Sequence, residues 1–306
     1  MMTFGRQAKL AGFLIAKRDE TVKSLSIGKG YLASVNTLGL NPNQVTFHLS
    51  SYVSGVYSLF EGYLLDLASE MLLCFPDKLR DSEYRLKDLV MEPGDFLANT
   101  VEKQIDALGY KRFDVIVERV MALFQGKPFS SPSVMVVQEF KATRDLYVHN
   151  RGEWNSTYAA KAGSAARRDP GRGKPMPLDQ AYVEAATVAM LRLIADFHAQ
   201  GPRQYERFTR VKALKEMWAA TALAEIMPFS DAWTVDHASD IPRPNSRATG
   251  WAWSHSERAL YDFFLRIYSD RYPGASNDLH YAIERWPVSS RSGQVILSWA
   301  RDPFFF

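Results

Sequence analysis

The chain has 306 residues, of which 46% are apolar and 23% charged, with a formal net charge of +3. That balance excludes a disordered chain, and it excludes a global field announcing a nucleic-acid partner, while leaving a local basic patch open. Cys74 is the only cysteine, which excludes an intrachain disulfide framework and a cysteine-built zinc site and fits a reducing cytoplasm.

The length suits one large domain or two smaller ones. Near the N-terminus the apolar stretch Leu10 to Ala16 is short and flanked by charge. It lacks the longer apolar core and small-residue cleavage site of a signal peptide. No window approaches the roughly 20 apolar residues of a membrane span. These features predict a soluble cytoplasmic protein with no membrane partner.

Helical periodicity dominates the first two thirds. Asn41-Pro42-Asn43 is a helix start, with an Asx cap and an early proline. From Gln44 to Cys74, Phe47, Val53, Val56, Phe60, Tyr63, Leu67 and Met71 recur at helical spacing, and Pro76 ends the run. A second start at Glu92-Pro93-Gly94-Asp95 leads into Phe96, Val101, Ile105 and Leu108, with Gly109 placed to stop it. Phe113 to Phe124 makes a short third piece, ended by Gly126 and Pro128. Ser130-Ser131-Pro132 opens a helix with Val134, Val137, Phe140, Leu146 and Val148 as apolar positions, running out near His149-Asn150-Arg151-Gly152. Val115–Val120 and Val134–Val137 also suit strands, but their neighbours favour helix.

Residues 165–175 read as a loop holding Arg167, Arg168, Arg172 and Lys174 against one acid, Asp169. A mobile phosphate-contacting arm fits this composition, and so does a solvated connection between helices. Pro177-Leu178-Asp179 starts another long helix through Val183, Met190, Leu193 and Phe197, stopped by Gly201-Pro202. Beyond it lie six of the seven tryptophans. One helix is predicted from about Tyr205 to Met227, then a loop from Pro228 to Asn245, a helix from Ser254 to Tyr272, a short helix near Asp278 to Arg285, and the aromatic end Phe304-Phe305-Phe306. The expected architecture is all-α: a helical bundle over residues 1–202 and a smaller helical module over 203–306. The aromatic density of that module fits either a small core or a recognition surface.

Several familiar sites are absent. Gly28-Lys29-Gly30 lacks phosphate-loop spacing, and His48, His198, His237, His255 and His280 form no metal-ligand pattern. There is no serine elbow. No metal and no cofactor are expected.

The segment Arg144-Asp145-Leu146-Tyr147-Val148-His149 carries the chemistry. Asp145 and His149 are four apart on a helix and share a face, so the carboxylate can hold the imidazole and raise its pKa. The helix C-terminus favours the same protonated ring. Arg144 lies about 140° round the helix from His149. These residue types suit phosphodiester cleavage in RNA, where the 2′-OH is an internal nucleophile and the protein manages protons and charge. In such a reaction His149 would be expected to serve as general base or acid, and Arg144 to bind the scissile phosphate. One histidine serves both proton transfers poorly, which favours a homodimer joining two such helices. On spacing alone, a structural helix-end histidine stays open.

The wording Arg144-Asp145-Leu146-Tyr147-Val148-His149 resembles the R-x4–6-H motif of the HEPN superfamily, in which a polar residue follows the arginine. The continuation His149-Asn150-Arg151-Gly152-Glu153-Trp154-Asn155 is similar to the H-N-x-G-x-x-N ending of many prokaryotic members, and Glu61 resembles an acidic position on an earlier helix. The resemblance covers roughly residues 8–200. It implies a helical bundle and a dimeric, metal-independent endoribonuclease of the toxin, antiphage-defence or RNA-processing kind. Arg144 and His149 would be catalytic with Asp145 beside them, and Glu61 a supporting acid. Asn150, Arg151, Arg167, Arg168, Arg172 and Lys174 are the candidate RNA contacts. No Y-x-Y pattern follows His149, so a paired nucleotidyltransferase antitoxin is not implied. The rival readings are a non-catalytic HEPN-like scaffold binding RNA or protein, and a regulatory subunit docking a protein partner through residues 203–306.

Overall fold

Reciprocal caps set where the long helices begin. The side chain of Asn41 accepts from the amide of Gln44 at 3.0 Å, and Gln44 accepts from the amide of Asn41 at 2.9 Å. This box satisfies two of the donors a helix start leaves orphaned, and Pro42 follows where no donor is needed. Asp179 caps a later helix by accepting from the Tyr182 amide at 2.7 Å. The computed structural model describes residues 4–35, 39–79, 96–124, 129, 131–171, 173–202, 205, 210–236, 241–268, 279–301 and 303–304. The helix start at 92–95, the stops at 126 and 128, Arg172, His237 and the final two phenylalanines lie outside the described residues.

The fold is all-α. In chain order the first helices are α1 (Phe4–Val35), α2 (Pro42–Cys74), α3 (Phe96–Gly109), α4 (Phe113–Leu123), α5 (Ser133–His149), α6 (Ser156–Ala162) and α7 (Gln180–Gln200). Both runs that also suited strands are helical, within α4 and α5. Their β-branched residues sit among buried neighbours at helical spacing, so packing overrides propensity.

The chain forms two compact units. One contains residues 14–72 and 77–203, the other residues 1–13, 73–76 and 204–306. The second unit therefore differs from the contiguous 203–306 module read from composition. The reason is apolar burial: Phe4 and Ala8 of α1 join the core built around Trp218, Phe264 and Trp299.

In the larger unit the apolar stripe of α2 is fully buried at Val53, Tyr57, Phe60 and Leu67. Phe60 meets Phe113 of α4 at 6.0 Å between ring centroids, and Phe140 of α5 meets Tyr182 of α7 at 5.7 Å. Helix α5 packs on α4, α6 and α7, and so lies at the centre of this unit. His198 is buried and hydrogen-bonded to the Tyr63 hydroxyl at 2.5 Å.

The smaller unit contains α8 (Arg210–Ala219), α9 (Leu223–Ile226), α10 (Phe229–Ala232), the strands β1 (Trp233–Asp236) and β2 (Ile241–Pro244), α11 (Ser246–Thr249), α12 (His255–Tyr268), α13 (Leu279–Arg285) and α14 (Arg291–Arg301). The single helix expected to Met227 is broken after Ala219. The expected loop holds a short antiparallel hairpin pairing Trp233 with Pro244 and Val235 with Pro242. A two-stranded ribbon consists only of edges, so prolines are tolerated there. Helix α14 was not among the expected elements, although Ser290 caps it by accepting from the Gly293 amide at 3.0 Å. Most of the aromatic density is core: Trp218, Trp233 and Trp299 are buried, Trp253 and Trp286 pack partly buried against them, Trp251 is exposed, and Trp218 meets Phe264 at 5.1 Å. Two of the buried indoles are satisfied by backbone oxygens, Trp218 by Met227 at 2.9 Å and Trp299 by Phe304 at 3.0 Å, while Nε1 of Trp233 is buried with no hydrogen-bond partner.

Gly293 in α14 tests this packing. A Cβ there would lie 2.1 Å from the carbonyl oxygen of Pro287, a backbone atom that cannot swing aside. Gly293→Ala is expected to destabilise the unit by about 1–3 kcal/mol. Gly30→Ala, where nothing lies within 4 Å, is expected to be neutral or stabilising by up to ~1 kcal/mol. Urea unfolding followed by tryptophan fluorescence reads the Gly293 effect, and circular dichroism reads the Gly30 effect.

Candidate functional site

Helix α5 has two polar faces with opposite fates. The inner one is organised by Glu139, which is 4% exposed. Its Oε1 accepts from the Thr143 hydroxyl (2.7 Å), the Tyr158 hydroxyl (2.6 Å) and Nε of Arg167 (2.9 Å). Its Oε2 accepts from the Tyr182 hydroxyl at 2.8 Å. Arg167 also donates Nη1 to the carbonyl of Pro177 and Nη2 to the Thr143 hydroxyl, and its guanidinium lies 4.0 Å over the Tyr182 ring. Burial, then the adjacent Glu139, pushes the Tyr182 phenol far up, so it stays a donor. A buried carboxylate demands this number of partners, because each unmade bond leaves desolvated charge.

The end of α5 is equally constrained. The carbonyl of Leu146 accepts from the amides of Asn150 (2.7 Å) and Gly152 (3.0 Å). Arg151 and Gly152 both have positive φ, 52° and 80°. A Cβ on Gly152 would meet the Tyr147 ring at 2.9 Å and Pro175 at 3.2 Å, so glycine is required here. The Asn150 amide donates to the carbonyl of Glu153 at 2.7 Å. Asn155 caps α6 by accepting from the Tyr158 amide at 2.8 Å. The motif's trailing residues thus build a turn and a second helix.

The outer face of α5 opens into a cleft of about 420 Å³. Gln138, Asp145 and His149 lie within about 20° of one line along the helix. Lys141 and Arg144 flank them. Glu61 of α2, Asp106 of α3, the connection Tyr110–Arg112 and Lys161 of α6 add to the polar lining, over an apolar part that includes Leu65, Ile105 and Phe113. Five cationic side chains (Lys111, Arg112, Lys141, Arg144 and Lys161) face three carboxylates (Glu61, Asp106 and Asp145), beside an exposed His149.

Arg144, Asp145, His149 and Glu61, singled out from sequence, therefore line one cleft. Arg144 and His149 both line the cleft despite their offset of about 140° round the helix. The expected Asp145–His149 bond is replaced. Asp145 accepts from Nη1 of Arg144 at 3.1 Å and from Nζ of Lys161 at 2.7 Å. Two full cations beside a carboxylate only 15% exposed satisfy it better than an exposed imidazole at the helix end. Nε of Arg144 is buried with no hydrogen-bond partner, and its guanidinium carbon lies 6.0 Å from the Tyr57 ring centre. Glu61 accepts from Nζ of Lys141 at 2.7 Å and from the Tyr57 hydroxyl at 3.1 Å. Burial, then Glu61, holds the Tyr57 phenol well above its ordinary range.

The proposed RNA contacts divide differently. Arg167 is turned inward onto Glu139, a correction to its reading as an exposed phosphate contact. The Asn150 amide is occupied by its turn. Arg151, Arg168 and Lys174 are exposed but do not line the cleft. Arg172 lies outside the described residues.

Residues absent from the sequence reading are Glu139, Lys141, Lys161 and the triplet Tyr110-Lys111-Arg112. Lys141 had a legible signal, lying three and four residues before Arg144 and Asp145 on one helix. The triplet, following Gly109, is an aromatic–basic cluster. Lys161 lies on α6, which the sequence reading did not resolve. Among the described residues no group of three or more His, Cys, Asp or Glu is assembled to hold a metal, and no helix is long and apolar enough to cross a membrane. In comparisons with known proteins, no family model matches the chain, no curated protein matches its sequence and no solved structure matches its fold.

The inner face generates a stability contrast. Arg167→Ala removes the cation from a buried carboxylate and is expected to cost about 3–5 kcal/mol. Arg168→Ala, one residue on and exposed, is expected to stay within about 0.5 kcal/mol of the parent. Chemical denaturation of both variants checks this; equal stability would show that the hub contributes nothing.

Proposed function

We propose that this chain is a metal-independent endoribonuclease of HEPN type, acting as a toxin or antiphage-defence effector, with its active site in the cleft along α5. The observation that carries this reading is the convergence of Arg144 and His149 on one cleft whose lining has more cations than carboxylates. An RNA phosphodiester needs proton transfer at the 2′-OH and at the leaving 5′-oxygen, and charge stabilisation at the non-bridging oxygens. His149, exposed at the helix end, supplies a proton-transfer group. Arg144 and Lys161 supply charge, and Asp145 holds these two cations side by side. Lys141, fixed by Glu61, supports the cleft floor. His149 is the only histidine among the described lining residues. A homodimer that juxtaposes two clefts would provide the second proton-transfer group.

A second reading is favoured by one contact. Arg144 already spends Nη1 on Asp145 at 3.1 Å. In a non-catalytic RNA- or protein-binding scaffold that pairing would be the arginine's whole role.

Incubating purified protein with RNA in EDTA separates the two. Wild type is expected to cleave, and Arg144→Ala and His149→Ala each to slow single-turnover cleavage by roughly 10²- to 10⁴-fold. RNA binding without cleavage would favour the scaffold. Cleavage surviving both substitutions would remove the catalytic assignment.

A further inference from the structure

We propose that Tyr110 is the base-stacking platform of this cleft, and that Lys111 grips a phosphate beside it, so that the cleft selects an unpaired nucleotide. This rests on the reading of the cleft as an RNA site. Tyr110 is 93% exposed, more than any other large apolar side chain among the described residues, and it lies on the cleft lining.

Its exposure is not looseness of the backbone. The connection between α3 and α4 is pinned on both sides. The Lys111 amide donates to the carbonyl of Leu108 at 2.9 Å. Arg112 forks onto Asp114 through Nε at 3.2 Å and Nη2 at 2.8 Å. Phe113, 1% exposed, anchors the start of α4. An aromatic ring on a fixed backbone loses little freedom when it is covered, and two χ angles are all that must be ordered.

Among the described residues lining or underlying the cleft, the other aromatic rings are unavailable. Tyr57 is fully buried beneath Arg144 and Lys141, and Phe113 is core. Among the described lining residues, a base entering beside the scissile phosphate therefore has one free π-face to lie against, that of Tyr110. Stacking of this kind tolerates every base but requires one freed from pairing, because a base pair presents only its edges. Lys111, exposed beside Tyr110, is placed for the phosphate that follows the stacked base.

The test uses full-length His149→Ala protein, which holds RNA without cutting it, with and without Tyr110→Ala and Tyr110→Trp. The probes are a short unpaired oligoribonucleotide carrying one fluorescent adenine analogue, and the same strand annealed to its complement. The expected result is a roughly fivefold to hundredfold weaker affinity for the unpaired strand in Tyr110→Ala. Affinity and stacking-dependent quenching return in Tyr110→Trp, and duplex binding is unchanged throughout. Thermal melting of the variants should match the parent, since Tyr110 supports no core. Unaltered affinity for the unpaired strand, equal loss for duplex, or no binding of either RNA by the parent would each overturn the proposal. The two readings fail separately. Tyr110-dependent binding by a wild-type protein that never cleaves would sink the nuclease while leaving the platform. Cleavage of unpaired RNA that Tyr110→Ala leaves kinetically unchanged would do the reverse.

Discussion

The buried carboxylate of Glu139 is the constraint around which this part of the molecule is arranged. Four donors, each from a different element, converge on it: Thr143 on α5, Tyr158 on α6, Arg167 in the following loop and Tyr182 on α7. An acid buried to this degree has no solvent to fall back on, so any segment that withdraws its donor leaves an uncompensated charge. The hub therefore fixes the rotation of α5 about its own axis. The rotation decides which residues face outward.

With Glu139 and Thr143 turned in, Lys141, Arg144, Asp145 and His149 are turned out into the cleft. There the electrostatics work by pairing. Asp145 holds Arg144 and Lys161 together, and Glu61 with Tyr57 holds Lys141. These contacts keep like charges close in the absence of an anion. A phosphate entering the cleft would meet cations already positioned, so little reorganisation remains to be done when charge develops.

The helices around the site were legible because their signals are local: the Asn41-Pro42-Asn43 start, the Pro177-Leu178-Asp179 start, and the apolar spacing of α2. The Arg144–Asp145–His149 stretch was legible for the same reason. The pairing of Asp145 was not, because its stronger partner, Lys161, lies sixteen residues on, on a short helix that sequence did not reveal. Arg167 was misread for a related reason. A basic, proline- and glycine-rich stretch has the composition of a solvated loop, and nothing local shows that one of its arginines answers a buried acid twenty-eight residues earlier. In the smaller unit, the capture of Phe4 and Ala8 is a long-range packing choice with no local signature.

The central claim is that the 2′-OH of the RNA is the nucleophile and that side chains alone manage its proton and charge. The chemistry of the cut ends tests this most directly. Cleavage in EDTA, analysed by mass spectrometry, is predicted to leave 2′,3′-cyclic phosphate and 5′-hydroxyl termini, and a single 2′-deoxy substitution at the cut site is predicted to abolish it. Products with 5′-phosphate ends, or cleavage that persists at the 2′-deoxy position, would contradict the account.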